Sequence, residues 1–244
     1  MTTHIELLEY MRQLRTIGPE MPFPLAAHII DSGADVIAPL TALAIDTTML
    51  VGPAPLCYAP IHALRLLGEC NSIDAIATLV HAPVPAAPDQ LTEKRTTIWD
   101  GEVPQIIARN CVAAIKPILA LLDDDHTSNV GHHRAALAIA YLSYAQPAEV
   151  AFLTAALEER LTSSIPDRNA SVALALANMG AESSYPAVMA AYKAGHIAKD
   201  AVQMGPMRKL LLSRSNARLG CVNHPLGERY AHHPLRPQAQ QGQG

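Results

Sequence analysis

Residues 26–46, AAHIIDSGADVIAPLTALAID, align without a gap on residues 104–124, PQIIARNCVAAIKPILALLDD. Ile29 falls on Ile107, Ile37 on Ile115, Pro39 on Pro117, Ala42 on Ala120 and Leu43 on Leu121. A third copy, LALANMGAESSYPAVM at 174–189, places Gly180 on Gly33 and Pro186 on Pro39. A fourth, ALRLLGECNSIDAIATLV at 63–80, keeps Leu64, Gly68, Ile73, Ile76 and Leu79 but is one residue longer after the glycine. A helical hairpin that recurs in this way buries its apolar face only by stacking on its neighbours. The expected fold is therefore all-α, an α-solenoid of about five hairpins wound as a right-handed superhelix. Such an architecture points to binding as the function.

Composition agrees with that class. Of 244 residues half are hydrophobic, only 4% are aromatic, and the apolar mass is alanine, leucine, isoleucine and valine. Alanine has the highest helix propensity, and the alternating β-branched runs of strands are nearly absent. The net charge of −4 gives no strongly basic face, so no specific nucleic-acid partner is expected. Charge is uneven: from Met207 onward Arg208, Lys209, Arg214, Arg218, Arg229 and Arg236 face Glu228 alone. No run approaches the roughly 18 apolar residues of a membrane span, and MTTHIELLEYMRQLR lacks the pattern of a signal peptide. Cys57, Cys70, Cys111 and Cys221 have no CxxC spacing and read as small hydrophobes in a reducing compartment. The expected location is cytoplasmic.

Three regions are expected. Residues 1–21 form a capping helix with Ile5, Leu8 and Met11 on one face; 22–214 form the repeat array; 215–244 form an extended or disordered tail. The hairpins run 24–45, 58–81, 103–123, 131–161 and 166–194, and 198–214, broken by Gly205-Pro206, closes the array. Pro-rich and then charged, 82–97 (APVPAAPDQLTEKRTT) is too long for a turn between repeats and reads as an insertion, with Trp99 at its far edge. The tail lacks apolar periodicity, so it is expected to be dispensable for folding and to reach a partner through its basic charge.

The recurring unit resembles the HEAT repeat, in particular the short bacterial HEAT-like type of phycobilisome lyases. The resemblance is carried by Ile29, Gly33, Ile37, Pro39, Leu40 and Leu43; by Leu64, Gly68, Ile73, Ile76 and Leu79; by Ile107, Ile115, Pro117, Ile118 and Leu121; and more loosely by Leu176, Gly180, Pro186 and Met189. It covers about residues 22–195. Cys111 stands where the third repeat should have its turn glycine, and the fourth hairpin has neither the glycine nor the mid-helix proline. The resemblance implies a protein-binding scaffold or, as the alternative, a chaperone or lyase acting on a cofactor-bearing protein such as a bilin carrier. It transfers no site residue.

Candidate chemistry is sparse. His132-His133 near Asp123, Asp124, Asp125 and His126 have the residue types of a metal site, but adjacent helical residues point about 100° apart and rarely share one ion. Cys221, His224, His232 and His233 have ligand types without finger spacing. Cys57 or Cys111 with His62 is a nucleophile–base pairing by type only. No phosphate-binding glycine loop occurs. No catalytic residue, metal or cofactor is assigned, and the chain reads as non-enzymatic. Its expected partner is another protein, held by the exposed side of the second helices through Asp35, Thr41, Asp74, Thr78 and Lys116, among the small Ala38, Ala42, Ala77, Ala113 and Ala120, with Trp99 at the insertion. Self-association, basic end to acidic body, is the other partner reading.

Overall fold

In a computed structural model, residues 3–198, 200, 202–213 and 215–231 are described, and among them every regular element is helical, with no strand. The α-helices are α1 (His4–Leu14), α2 (Phe23–Asp31), α3 (Ile37–Ala44), α4 (Thr47–Leu50), α5 (Ala59–Leu67), α6 (Ile76–His81), α7 (Gln90–Ala108), α8 (Ile115–Asp123), α9 (Asn129–Ala145), α10 (Val150–Glu159), α11 (Pro166–Met179), α12 (Tyr185–Ala194), α13 (Met204–Leu212) and α14 (Leu226–Ala231). Short 3₁₀ turns enter the second helix of each expected hairpin: Gly33–Val36 before α3, Ile73–Ala75 before α6, Cys111–Ala114 before α8, Pro147–Glu149 before α10 and Glu182–Ser184 before α12.

The aligned turn positions share a backbone conformation. Gly33 has φ 61°, Cys111 φ 56° and Gly180 φ 68°, all left-handed. Gly68, in the copy with one extra residue, stays right-handed at φ −69°. Cys111 is thus a non-glycine residue in the conformation that its counterparts reach without a Cβ. The helix boundaries follow local chemistry as well. Thr3 and Glu6 form a reciprocal capping box on α1, Ser128 accepts from the Gly131 amide at the start of α9, and Pro166 opens α11.

The chain divides into two compact units. The first holds the residues up to Asn71, Pro83–Glu102 and the chain from His224. Its centre is α5, all nine residues of which are buried, packed by α1, α2, α3 and α4. The second holds Ser72–Ala82 and Val103–Asn223. Its centre is α9, packed by α6, α8, α10, α11 and the 3₁₀ segment Ala217–Asn223. Alanines 135, 136, 138 and 140 are buried on α9, and their small side chains let the neighbours approach closely. A Cβ on Gly131 would lie 2.7 Å from Thr127 Cγ2 and 3.3 Å from Val80 Cγ1, so a larger residue at this turn of α9 would force the Thr127 side chain to shift.

The structure departs from the sequence reading at particular elements. Within 82–97, which reads as an insertion, the residues from Gln90 are helical and belong to α7, which continues without a break to Ala108. The buried positions Thr92, Arg95, Thr96, Trp99 and Val103 follow helical spacing, but most are polar, which hides the period in the sequence. The core register of α8 is also shifted. Ile115, Ile118 and Leu122 are buried, whereas Leu121 is only half-buried, because a stripe spaced i, i+3, i+7 ends on Leu122. Ile37, aligned with Ile115, is likewise half-buried. The tail is structured through Ala231: Leu219, Val222 and Tyr230 are buried, on the 3₁₀ segment Ala217–Asn223 and on α14. The rest of the expected tail, 232–244, lies outside the described residues.

Candidate functional site

The expected surface residues fall into both units. In the first, Asp35 is exposed on its 3₁₀ turn. Thr41 is half-buried on α3, its hydroxyl donating to the Ile37 carbonyl at 2.7 Å. In the second, Asp74, Thr78 and Lys116 are exposed, the first on the turn into α6, the others on α6 and α8. α6 packs against α8, and Ala77 on α6 and Ala120 on α8 are exposed as well. The 131–161 hairpin of the sequence reading contains α10, but no surface residue was named on it, and there Val150 is 38% and Phe152 54% exposed. Arg160, just beyond α10, clasps Asp123 at the end of α8 at 2.6 and 2.8 Å, which holds the two helix ends together. Pro147, at the start of the 3₁₀ entry into α10, marks the element in the sequence, whereas the turn glycine and mid-helix proline of the repeat are absent.

Trp99 does not belong to this surface. It is 0% exposed, and its indole N–H donates to the Ala44 carbonyl at 2.8 Å, near the end of α3. Placed seven residues after Thr92 on the same helix, it faces the core of the first unit rather than a partner.

The other chemical candidates resolve into structural roles. His132 is buried; its Nε2 donates to the Asp124 carbonyl at 3.1 Å, and burial holds its pKa below the ordinary histidine value. His133 is exposed beside a depression of about 260 Å³ lined by Asn129, Asp167 and Ser171. The acidic run is split among separate partners: Asp123 to Arg160, Asp124 to the His126 amide, Asp125 to Arg168. No group of three or more potential metal ligands forms among the described residues, and His232 and His233 lie outside them. Cys57 is buried, its thiol pushed up by desolvation, while Cys111 is exposed. Both nitrogens of His62 are engaged elsewhere, so neither cysteine has it as a base.

Buried arginines close helix ends in the second unit. Arg134 Nη1 donates to the carbonyls of Leu79, Val80 and Ala82 at the end of α6. Arg168 Nη1 donates to Leu122 at 3.0 Å at the end of α8, and the exposed Arg218 reaches the Ala177 carbonyl near the end of α11 through Nη2 at 3.3 Å. A guanidinium meets both needs of a buried helix C-terminus, supplying donors for orphan carbonyls and positive charge for the dipole.

The densest polar cluster lies in the first unit. His62 Nε2 donates to the Gly18 carbonyl at 2.8 Å, because a carbonyl can only accept. The neutral ring then presents a lone pair on Nδ1, and the Tyr230 hydroxyl donates to it at 2.8 Å. Burial holds His62 down to about 4 and, before any charge effect, raises the Tyr230 phenol above its ordinary range. Arg65 lies over the Tyr230 ring, 4.7 Å from its centroid, and is held there by a two-pronged pairing with Glu102. Arg229, next to Tyr230, pairs with Glu69. None of these contacts was legible in the sequence, where His62 stood out only as a possible base beside a cysteine. Comparison with family models, with curated proteins and with solved structures finds no match to this chain.

Proposed function

We propose that this chain is a HEAT-like, right-handed α-solenoid that serves as a non-enzymatic protein-interaction module. The observation that carries the repeat reading is the shared left-handed turn at Gly33, Cys111 and Gly180, each leading through a 3₁₀ entry into a second helix. It supports the gapless alignment at backbone level, including at Cys111, where the glycine is missing. In such arrays the second helices line the recognition face, and α6 and α8 fit that role. Their exposed positions are small or singly charged (Asp74, Ala77, Thr78, Lys116, Ala120), so a helix or extended segment of a partner could lie on them without steric obstruction.

The test is capture of the partner by full-length protein carrying Thr78→Arg and Ala120→Arg. Both positions are exposed, so the helical circular-dichroism spectrum should be retained while recovery of the partner falls. Glu93→Arg, at an exposed site on α7 in the other unit, should leave recovery unchanged. Equal recovery with the doubly substituted protein, the Glu93→Arg variant and the wild type would refute this surface as the recognition face.

A further inference from the structure

The attachment of α14 has the chemistry of a bound ligand more than of a core helix. It is six residues long, and only Tyr230 among them is buried. Apolar burial is therefore concentrated in the Tyr230 ring, and directed polar contacts join it in holding the segment. Arg229 pairs with Glu69, a residue just beyond the end of α5. The Tyr230 hydroxyl donates to His62 Nδ1 at 2.8 Å. The Tyr230 ring lies under the Arg65 guanidinium, whose orientation Glu102 fixes. His62 and Arg65 are on α5, the most buried helix of this unit, so the receiving side is rigid. Beside the contact lies an open depression of about 200 Å³ lined by Glu20, Met21, Phe23, Gly227, Tyr230 and Ala231. Phe23 at its rim is 57% exposed.

Each contact reads one feature. A carboxylate reads a guanidinium, an imidazole lone pair reads a hydroxyl, and a cation reads an aromatic face. Tyrosine and arginine are the residues that dominate protein-recognition sites for these reasons. We infer that His62, Arg65 and Glu69 form a recognition site for a peptide bearing arginine followed by tyrosine, and that the chain's own Arg229-Tyr230 fills it in cis. The neutral state of His62 is part of the selectivity: a ring held to a pKa of about 4 by burial and donating to Gly18 has only an acceptor left to offer. A partner carrying the same pair of residues would compete with α14. A tethered segment competes at an effective concentration on the order of millimolar, so the site is masked against weak ligands.

The experiment uses full-length protein and a fluorescent peptide of residues 225–231, PLGERYA, read by anisotropy. Tyr230→Ala empties the hydroxyl and ring positions. This variant should bind the peptide roughly tenfold or more tightly than the wild type, for which α14 competes. A peptide with phenylalanine in place of tyrosine should bind the variant about fivefold or more weakly, because His62 Nδ1 is left unpaired. Adding Glu69→Gln, at a partly exposed position, should weaken binding of the parent peptide while leaving that of a peptide with glutamate for arginine unchanged. Failure of the folded variant to bind, or equal binding of all three peptides, overturns the inference. Should Tyr230→Ala lose its helical spectrum, hydrogen exchange on the wild type decides: α14 amides exchanging well before those of α5 support a displaceable segment, and exchange of both only in one global opening overturns it.

Discussion

The paired substitutions Gly33→Ala and Cys111→Gly probe one backbone geometry from opposite directions. At Gly33, φ is 61° and an added Cβ would meet no atom within 4 Å, so the cost of alanine is backbone strain alone. That strain is about 1–2 kcal/mol for an L-residue in the left-handed region. Alanine also narrows the unfolded ensemble, which returns about 0.4–1 kcal/mol, leaving a net destabilisation of about 0.5–1 kcal/mol. At Cys111, φ is 56° and the side chain is exposed, with one weak contact from Sγ to the Arg109 carbonyl at 3.4 Å. Glycine there removes the strain and pays the entropy, a net stabilisation of about 0.5–1 kcal/mol. Urea unfolding followed by far-UV circular dichroism reads both. With a slope of about 2 kcal/mol per molar, the midpoints should move by about 0.25–0.5 M, downward for Gly33→Ala and upward for Cys111→Gly. Shifts of the same sign, or a Cys111→Gly variant that is less stable than wild type, would refute the equivalence of the two turns.

Three further outcomes follow from packing and titration. Leu122→Ala should cost about 2–5 kcal/mol in urea unfolding and Leu121→Ala clearly less, since only Leu122 is fully buried; equal costs would contradict the α8 register. Trp99→Ala should cost about 3–5 kcal/mol and leave partner recovery per folded molecule unchanged, whereas a loss of recovery without loss of stability would return Trp99 to the surface. His62 is held at about 4 against 6.5 when unfolded, so folding excludes a proton. Its contribution is complete above pH 6.5 and declines as pH falls toward 4, at about 1.4 kcal/mol per pH unit. From pH 7 to pH 5 that amounts to about 2 kcal/mol, and His62→Gln should lose less stability than wild type over this interval; an identical loss would contradict the buried neutral ring.

What the sequence made legible was whatever a repeated backbone requirement had written into it. The turns at Gly33 and Gly180 were marked by the residue that such a φ favours, and Cys111 could be aligned because the apolar positions around it kept their spacing. The gap-free copies share the left-handed turn and the copy with an extra residue does not. The long α7 was hidden because its buried face includes Thr92, Arg95 and Thr96, which carry no hydrophobic period. The attachment of α14 was hidden for a related reason: charge pairs and hydroxyl donors hold it, and those partners are far apart in the chain. Nothing in the sequence sets Arg134 and Arg168 apart from other helix charges, and both are buried against carbonyls at helix ends. The surface on α6 and α8 was legible because amphipathic spacing gives exposure directly. Phe152 on α10 was not, because its hairpin departs from the repeat pattern.

The most direct test of the recognition face is site-specific photo-crosslinking in the source cell, with the probe placed at Thr78 or Lys116 and, as a control, at Glu93. The account predicts one discrete adduct of the same mass from Thr78 and Lys116 and none from Glu93. Adducts from Glu93 alone, or unrelated adducts from all three positions, would contradict it.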